Sequence, residues 1–297
     1  MNITKNAKIL ITGGKGFLGK YVIKELVERG YINSLAVDKE YDLRKSEYAK
    51  AVVLSAEYVI HLAAKVGGIM ENITYPADFF YDNVLMGVNI IHESAMAKVK
   101  KLVYVGTVCS YPAKSRPLFE ENEFWSGYPD KTNAAYGMSK KIALPMLLAY
   151  RKQFNLNGVY PVLTNLYGTG DKSTHVIPDM IRKFKENPQE VTFYGSGKQT
   201  REFLHVEDAA RAIVDVLEKY DSPKIINIGT GLETSIRELA NTMAKIMKYK
   251  GKIIWDTSKP EGNVRRVLDT RRAYEKFGWK AKVSMKEGLE KTIKSYE

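Results

Sequence analysis

Short apolar runs alternate with amphipathic stretches along the first half of the chain. Residues 8–12, Lys-Ile-Leu-Ile-Thr, lead into glycines and predict a buried parallel strand. Residues 17–29 carry apolar positions at helical spacing, and Gly30 suits a helix C-terminus. Residues 34–38, 58–62 and 102–105 predict further strands, with a long helix over 76–97 between the last two. A polar, proline-containing loop covers 107–133, and a helix then runs through Tyr136 to about Phe154. Pro145 lies inside that helix and lacks a backbone donor, which predicts a kink or a loosened turn. Strand and helix alternating in this way predict an α/β fold, a doubly wound parallel sheet of Rossmann type.

The second half is more mixed. Residues 175–187 and 206–220 have helical patterns, whereas 191–194 and 225–228 read as short strands. Ser235-Ile-Arg-Glu238 has the spacing of a capping box. No clean linker separates the halves, so a smaller, mixed C-terminal lobe is expected to be built from interleaved segments. Residues 1–165 with about 203–229 form the expected dinucleotide-binding domain. Residues from about 166–202, with 230–297, form the expected substrate-binding lobe.

The chain of 297 residues is 44% hydrophobic, enough to bury a large core. No apolar run reaches bilayer length, and the N-terminal residues lack the apolar stretch of a signal peptide. Cys109 is the single cysteine, which excludes an internal disulfide and a multi-cysteine metal site. A cytoplasmic protein with no membrane association is the expectation. The net charge of +12 would favour an anionic partner. The cations are dispersed and no nucleic-acid motif accompanies them, so a lysine-rich solvated surface is expected rather than nucleic-acid binding. Neither a metal-ligand constellation nor the Ser/His/Asp order of a hydrolase is present.

The candidate chemistry lies at the strand ends. Gly13, Gly16 and Gly19 follow the first strand and open a helix at Phe17 and Leu18. Glycines there let the backbone turn tightly against a pyrophosphate at the helix N-terminus. Asp38 ends the second strand, where a carboxylate accepts hydrogen bonds from ribose hydroxyls and repels a 2′-phosphate; Asp42 and Leu43 are weaker candidates for the adenine edge. Tyr136 and Lys140 stand four apart, on one helix face. An ammonium so placed is expected to favour the phenolate and lower the tyrosine's pKa. Thr107, just past the fourth strand, is placed to polarise a carbonyl with Tyr136. Cys109 sits in the same loop, where a thiolate can take a proton from carbon beside a ketone, and His175 is the candidate acid on the opposite face. His61 and His205 read as structural or capping residues, and His92 belongs to an amphipathic helix.

The glycine turn with Tyr136-x-x-x-Lys140 resembles the extended short-chain dehydrogenase/reductases that act on nucleotide sugars. More specific stretches resemble GDP-L-fucose synthases across nearly the whole chain: His61-Leu-Ala-Ala-Lys-Val-Gly-Gly-Ile69, Cys109-Ser-Tyr-Pro112, Thr164-Asn-Leu-Tyr-Gly168, His175-Val-Ile-Pro178, residues 195–206 and residues 259–269. That family epimerises carbons 3 and 5 of GDP-4-keto-6-deoxymannose and reduces carbon 4 with NADPH. The resemblance implies Thr107, Tyr136 and Lys140 as the reductive set and Cys109 and His175 as epimerisation base and acid. It implies Ala63, Ala64, Asn165, Leu166 and His175, with Lys140, along the cofactor. It places Lys183, Tyr194, Arg201 and Arg265 (or Arg266) on the GDP-sugar, Tyr194 standing where the family has a tryptophan. It implies a homodimer built on the helices near 76–97 and 134–154. Two departures stand out. Asp38 suits NAD(H) where the family's arginines suit NADP(H), and Leu163 replaces a proline. The expected activity is GDP-sugar epimerisation and reduction. An epimerase with permanently bound NAD, a simple 4-ketoreductase and a non-enzymatic nucleotide sensor are the alternatives.

Overall fold

Ile9 and Ile11 point to one side of the first strand and Leu10 to the other, so the strand needs apolar cover on both faces. The chain supplies it with helices. The structure, a computed structural model, describes residues 3–115, 118–258 and 265–296. Strand β1 (Ile9–Thr12) pairs in parallel with β2 (Ser34–Val37) and with β3 (Tyr58–His61). Strand β3 pairs with β4 (Lys101–Tyr104), and β4 with β5 (Gly158–Val159), again in parallel, giving the order β2-β1-β3-β4-β5. Beyond the C-terminal ends of β4 and β5, a parallel sheet of Gly106–Thr107, Pro161–Leu163 and Ile226–Ile228 continues the layer. This is the doubly wound α/β arrangement that the apolar runs predict.

Helix α1 (Phe17–Glu28) covers one face with Val22 and Leu26, together with the helix at Val206–Lys219. It ends as expected at Gly30, whose φ is +86°; the N–H of Gly30 bonds to the carbonyl of Val27 and that of Tyr31 to Leu26. Helix α2 (Pro76–Met96) covers the other face with Ile90 and Ile91. The predicted helix through Tyr136 is two helices, α3 (Ala134–Lys141) and α4 (Ala143–Phe154), parted at Ile142. Pro145 cannot donate to the Lys141 carbonyl four residues back, so the helix breaks at that turn.

Helix α5 (Val176–Glu186), with the parallel pair Glu190–Tyr194 and Lys252–Asp256, builds a separate apolar cluster around Phe184, Phe193 and Leu239. Helix α6 (Val206–Lys219) returns to the main sheet and is buried along Ala209, Ile213 and Leu217. The hydroxyl of Ser235 accepts from the N–H of Glu238 at 3.1 Å, the forward half of the expected capping box. The polar loop over 107–133 hides a strand that its two residues were too few to announce: Leu118–Phe119 pairs in parallel with Val267–Leu268. No helix among the described residues is long and apolar enough to cross a membrane.

The glycine turn is a packing requirement as well as a phosphate cradle. A Cβ on Gly19 would stand 2.3 Å from the Gly13 carbonyl oxygen and 2.6 Å from the Gly14 Cα, both backbone atoms that cannot swing aside. Gly19→Ala is therefore expected to cost about 1–3 kcal/mol or more. Its denaturant midpoint should fall with the slope unchanged; an unshifted midpoint would show that the turn can open freely.

Candidate functional site

Four chemically marked segments leave the sheet at its C-terminal edge, where open α/β sheets bind ligands. Gly13 follows β1, Asp38 follows β2, Ala63 follows β3, and Thr107 lies just beyond β4. Helix α1 opens at Gly16 with no side-chain cap and no acid in its first turn. Its first N–H groups, from Phe17 on, are left for an anionic group. Gly13 turns at φ +69°, and a Cβ there would meet the Ala63 backbone at 2.9 Å, so β1 and β3 close together beneath the turn. These features fit a dinucleotide pyrophosphate. Asp38 is half-buried at the end of β2. Leu43, by contrast, is buried in the core, and the Asp42 carboxylate is held by Arg44 at 2.8 Å, so neither side chain lies open. Arg44 also reaches Asp82 at 3.0 Å, and Lys15 pairs with Glu40 at 2.7 Å.

The loop after β4 opens with a 3-10 turn, Val108–Ser110, whose first N–H groups need an acceptor. The Thr107 hydroxyl accepts from the N–H of Cys109 at 3.2 Å. Ser110 donates to the Gly137 carbonyl at 2.8 Å. A Cβ on Gly137 would lie 2.3 Å from the Cys109 carbonyl oxygen, so the turn is pressed onto α3 at the one residue that admits it. Thr107, Cys109 and Tyr136 are thereby brought into one cluster, with the Tyr136 hydroxyl hydrogen-bonded to Thr107.

The electrostatics of the phenol differ from the expectation. Burial, reinforced by Cys109, pushes the Tyr136 pKa up, and only the Thr107 bond opposes this. Lys140, instead of lowering it, is itself pushed down to about 7 by burial. Its ammonium sits 4.4 Å from the Tyr104 ring centroid. In the free protein Tyr136 is thus held as a proton donor.

Asn133 went unnoticed in the sequence. It precedes α3 as a capping residue would, yet it makes no side-chain cap bond. Its amide donates to the Cys109 sulfur at 3.1 Å instead. Arg266 meets Asp130 at 3.3 Å, and Asp130 also accepts from Thr132. Arg201 lies close enough to Arg266 and Cys109 to feel both. Burial, with Arg266, lowers its pKa to about 10. Arg265 faces elsewhere and forks onto Glu233, which also holds Thr200 at 2.7 Å. Of the two adjacent arginines, Arg266 is the one within electrostatic reach of Arg201. The rest of the 259–269 stretch, residues 259–264, lies outside the described residues.

His175 is the residue before α5. Its Nδ1 is 2.9 Å from Ser173, and Thr174 beside it donates to Glu71 at 2.7 Å, tying this segment to the short helix Ile69–Thr74 that follows β3. Lys183 pairs with Asp179 at 3.0 Å and lies 5.4 Å from the ring of the exposed Tyr194, so these two predicted substrate residues are neighbours. Asn165 donates to the Glu202 carbonyl at 2.9 Å, and Leu166 packs against the main core. His61 is buried, with Nδ1 2.7 Å from Thr12, and His205 accepts from the N–H of Glu207, so both are structural as expected. His92 meets the Tyr150 hydroxyl at 2.9 Å and joins α2 to α4. No cluster suited to a metal ion occurs among the described residues. A cleft of about 490 Å³ lined by Thr230, Tyr274, Trp279 and Lys282 contains none of these chemical groups.

A family model described as the NAD dependent epimerase/dehydratase family matches residues 9–229. The chain is 37% identical to a GDP-L-fucose synthase of Sinorhizobium fredii, over 100% of this chain and 97% of that protein. It is 32% identical to a GDP-L-colitose synthase of Yersinia pseudotuberculosis, over 97% of each. The GDP-mannoheptose C4 reductase of Campylobacter jejuni, solved with NADP bound, matches with a TM-score of 0.91 at 29% identity over 99% of both chains. Fold, site and relatives together define an NAD(P)-dependent enzyme of the nucleotide-sugar epimerase and reductase type. The chain belongs to the NAD dependent epimerase/dehydratase family.

Proposed function

We propose that this enzyme epimerises and reduces a GDP-4-keto-6-deoxy-mannose-type sugar, yielding GDP-L-fucose or a close relative. The observation that carries this reading is the thiol of Cys109 held by Asn133 in the same cluster as Thr107 and Tyr136. A simple 4-ketoreductase needs the phenol and the threonine but has no use for a thiol held beside them. Cys109 would take the proton from carbon beside the ketone, and His175 would deliver one on the other face of the ring. Thr107 and Tyr136 would hold the carbonyl oxygen, Tyr136 protonating it as it becomes an alkoxide. The bound dinucleotide supplies the hydride. Arg201, Arg266 and Lys183 are the cations we assign to the diphosphate. An assay with GDP-4-keto-6-deoxymannose, following product stereochemistry and nicotinamide oxidation, tests the reading. Recovery of substrate with unaltered stereocentres and no cofactor consumed would remove it.

The same residues support a preference for NADH. Asp38 presents a carboxylate where a 2′-phosphate would lie, and Lys15 and Arg44 are already engaged by Glu40, Asp42 and Asp82. Fluorescence titration should give a Kd for NADH several-fold below that for NADPH. Tighter binding of NADPH would show that Asp38 turns away from the ribose. A homodimer through α2, α3 and α4 is part of the proposal, since Phe80, Tyr81 and Leu148 are exposed on these helices. Sedimentation at micromolar concentration would reveal a monomer if it is wrong.

A further inference from the structure

We propose that Tyr104 is a positioning residue for Lys140: the face of its ring holds the lysine ammonium at the cofactor slot. The inference rests on the reductase reading of the site. Lys140 is only 3% exposed, and among the described residues its Nζ has no hydrogen bond or ion pair. A buried ammonium without partners would ordinarily give up its proton. What it has is the Tyr104 ring, 4.4 Å from nitrogen to centroid, within cation–π range.

The ring is fixed where it stands. Tyr160 stacks on it at 5.7 Å with the planes 9° apart, and the Tyr160 hydroxyl donates to the Lys140 carbonyl at 2.8 Å. The Tyr104 hydroxyl fits against Gly87, where a Cβ would come within 2.5 Å of it. That hydroxyl is itself buried without a partner among the described residues, so the contribution of Tyr104 resides in its ring. The other titratable groups facing the lysine offer no compensating charge. His61, tilted against Tyr104 at 4.9 Å, is pushed far down by burial and by Lys140 itself, and is neutral. Tyr136 and Tyr160 are both pushed up and are neutral too. Burial brings Lys140 to about 7, so near neutral pH a modest electrostatic contribution decides its protonation state.

The test replaces Tyr104 by phenylalanine and by 4-fluoro-, 3,5-difluoro- and 3,4,5-trifluorophenylalanine, a nearly isosteric series that progressively drains charge from the ring face. Tyr104→Leu is the full deletion. The readout is the pH dependence of Lys140 modification by an amine reagent, mapped by peptide mass in the cofactor-free protein. Tyr104→Phe should titrate like the wild type. The trifluoro ring should lower the apparent pKa of Lys140 by about one unit, a tenfold loss of proton affinity on the scale of one desolvated cation–π contact. Because the charged ammonium is the working form, the basic limb of kcat/KM should move to lower pH with it. A Lys140 titration indifferent to fluorination would overturn the proposal, as would a Phe variant displaced as far as the trifluoro one. The fluorinated rings keep the test valid if the leucine variant fails to fold. Because modification is read without substrate, a protein that proves not to reduce GDP-keto sugars leaves this measurement intact, so the two failures are distinguishable.

Discussion

Tyr136→Phe should lower turnover in ketone reduction by about a hundredfold or more while leaving dinucleotide affinity nearly unchanged. Burial holds the phenol protonated, so in the reductive direction it arrives loaded as a general acid. Phenylalanine keeps the ring, including its edge-on contact with Phe79 at 6.5 Å, and removes only the donor. The loss should therefore fall on kcat, with Kd for NADH and the melting temperature close to wild type. Turnover within a few-fold of wild type would take Tyr136 out of proton transfer and leave Thr107 as the remaining hydroxyl.

Cys109→Ser should separate epimerisation from reduction. A serine hydroxyl has a far higher pKa than a thiol, and one amide hydrogen bond such as that from Asn133 does not close the gap. Incubated with the 4-keto sugar in heavy water, the wild type should wash deuterium into carbons 3 and 5. The variant should be slower by about a hundredfold or more, the usual scale of general-base catalysis. Hydride transfer should persist and give a reduced sugar with uninverted centres. Exchange at the wild-type rate would make Cys109 a small packing residue and the protein a plain 4-ketoreductase.

The parallel sheet was legible because its strands are continuous apolar runs, and such runs have few other uses in a polar chain. The line of site residues at the sheet edge followed from strand ends alone. Pairwise geometry was less accessible. Thr132-Asn133 before a helix reads as a cap, and nothing local reveals that the amide turns to a sulfur 24 positions back. Four-residue spacing put Lys140 on the face of Tyr136 but could not show that burial outweighs its charge. Arg265 and Arg266 are neighbours, and only the fold decides which turns to Glu233 and which to Asp130. Leu43 was drawn toward adenine by position, while its apolar side chain found the core.

The fit of the Cys109 carbonyl against Gly137 has a consequence for how such an enzyme can diverge. The turn that carries the thiol and the helix that carries the phenol meet where a methyl group would not fit. On the proposed mechanism, a descendant can discard the sulfur by one codon change and survive as a reductase. It cannot re-aim the sulfur by shifting the turn, because α3 and its phenol would shift too. Loss of one activity is therefore an easy path from this scaffold, whereas independent retuning of the two requires rebuilding the seam between them.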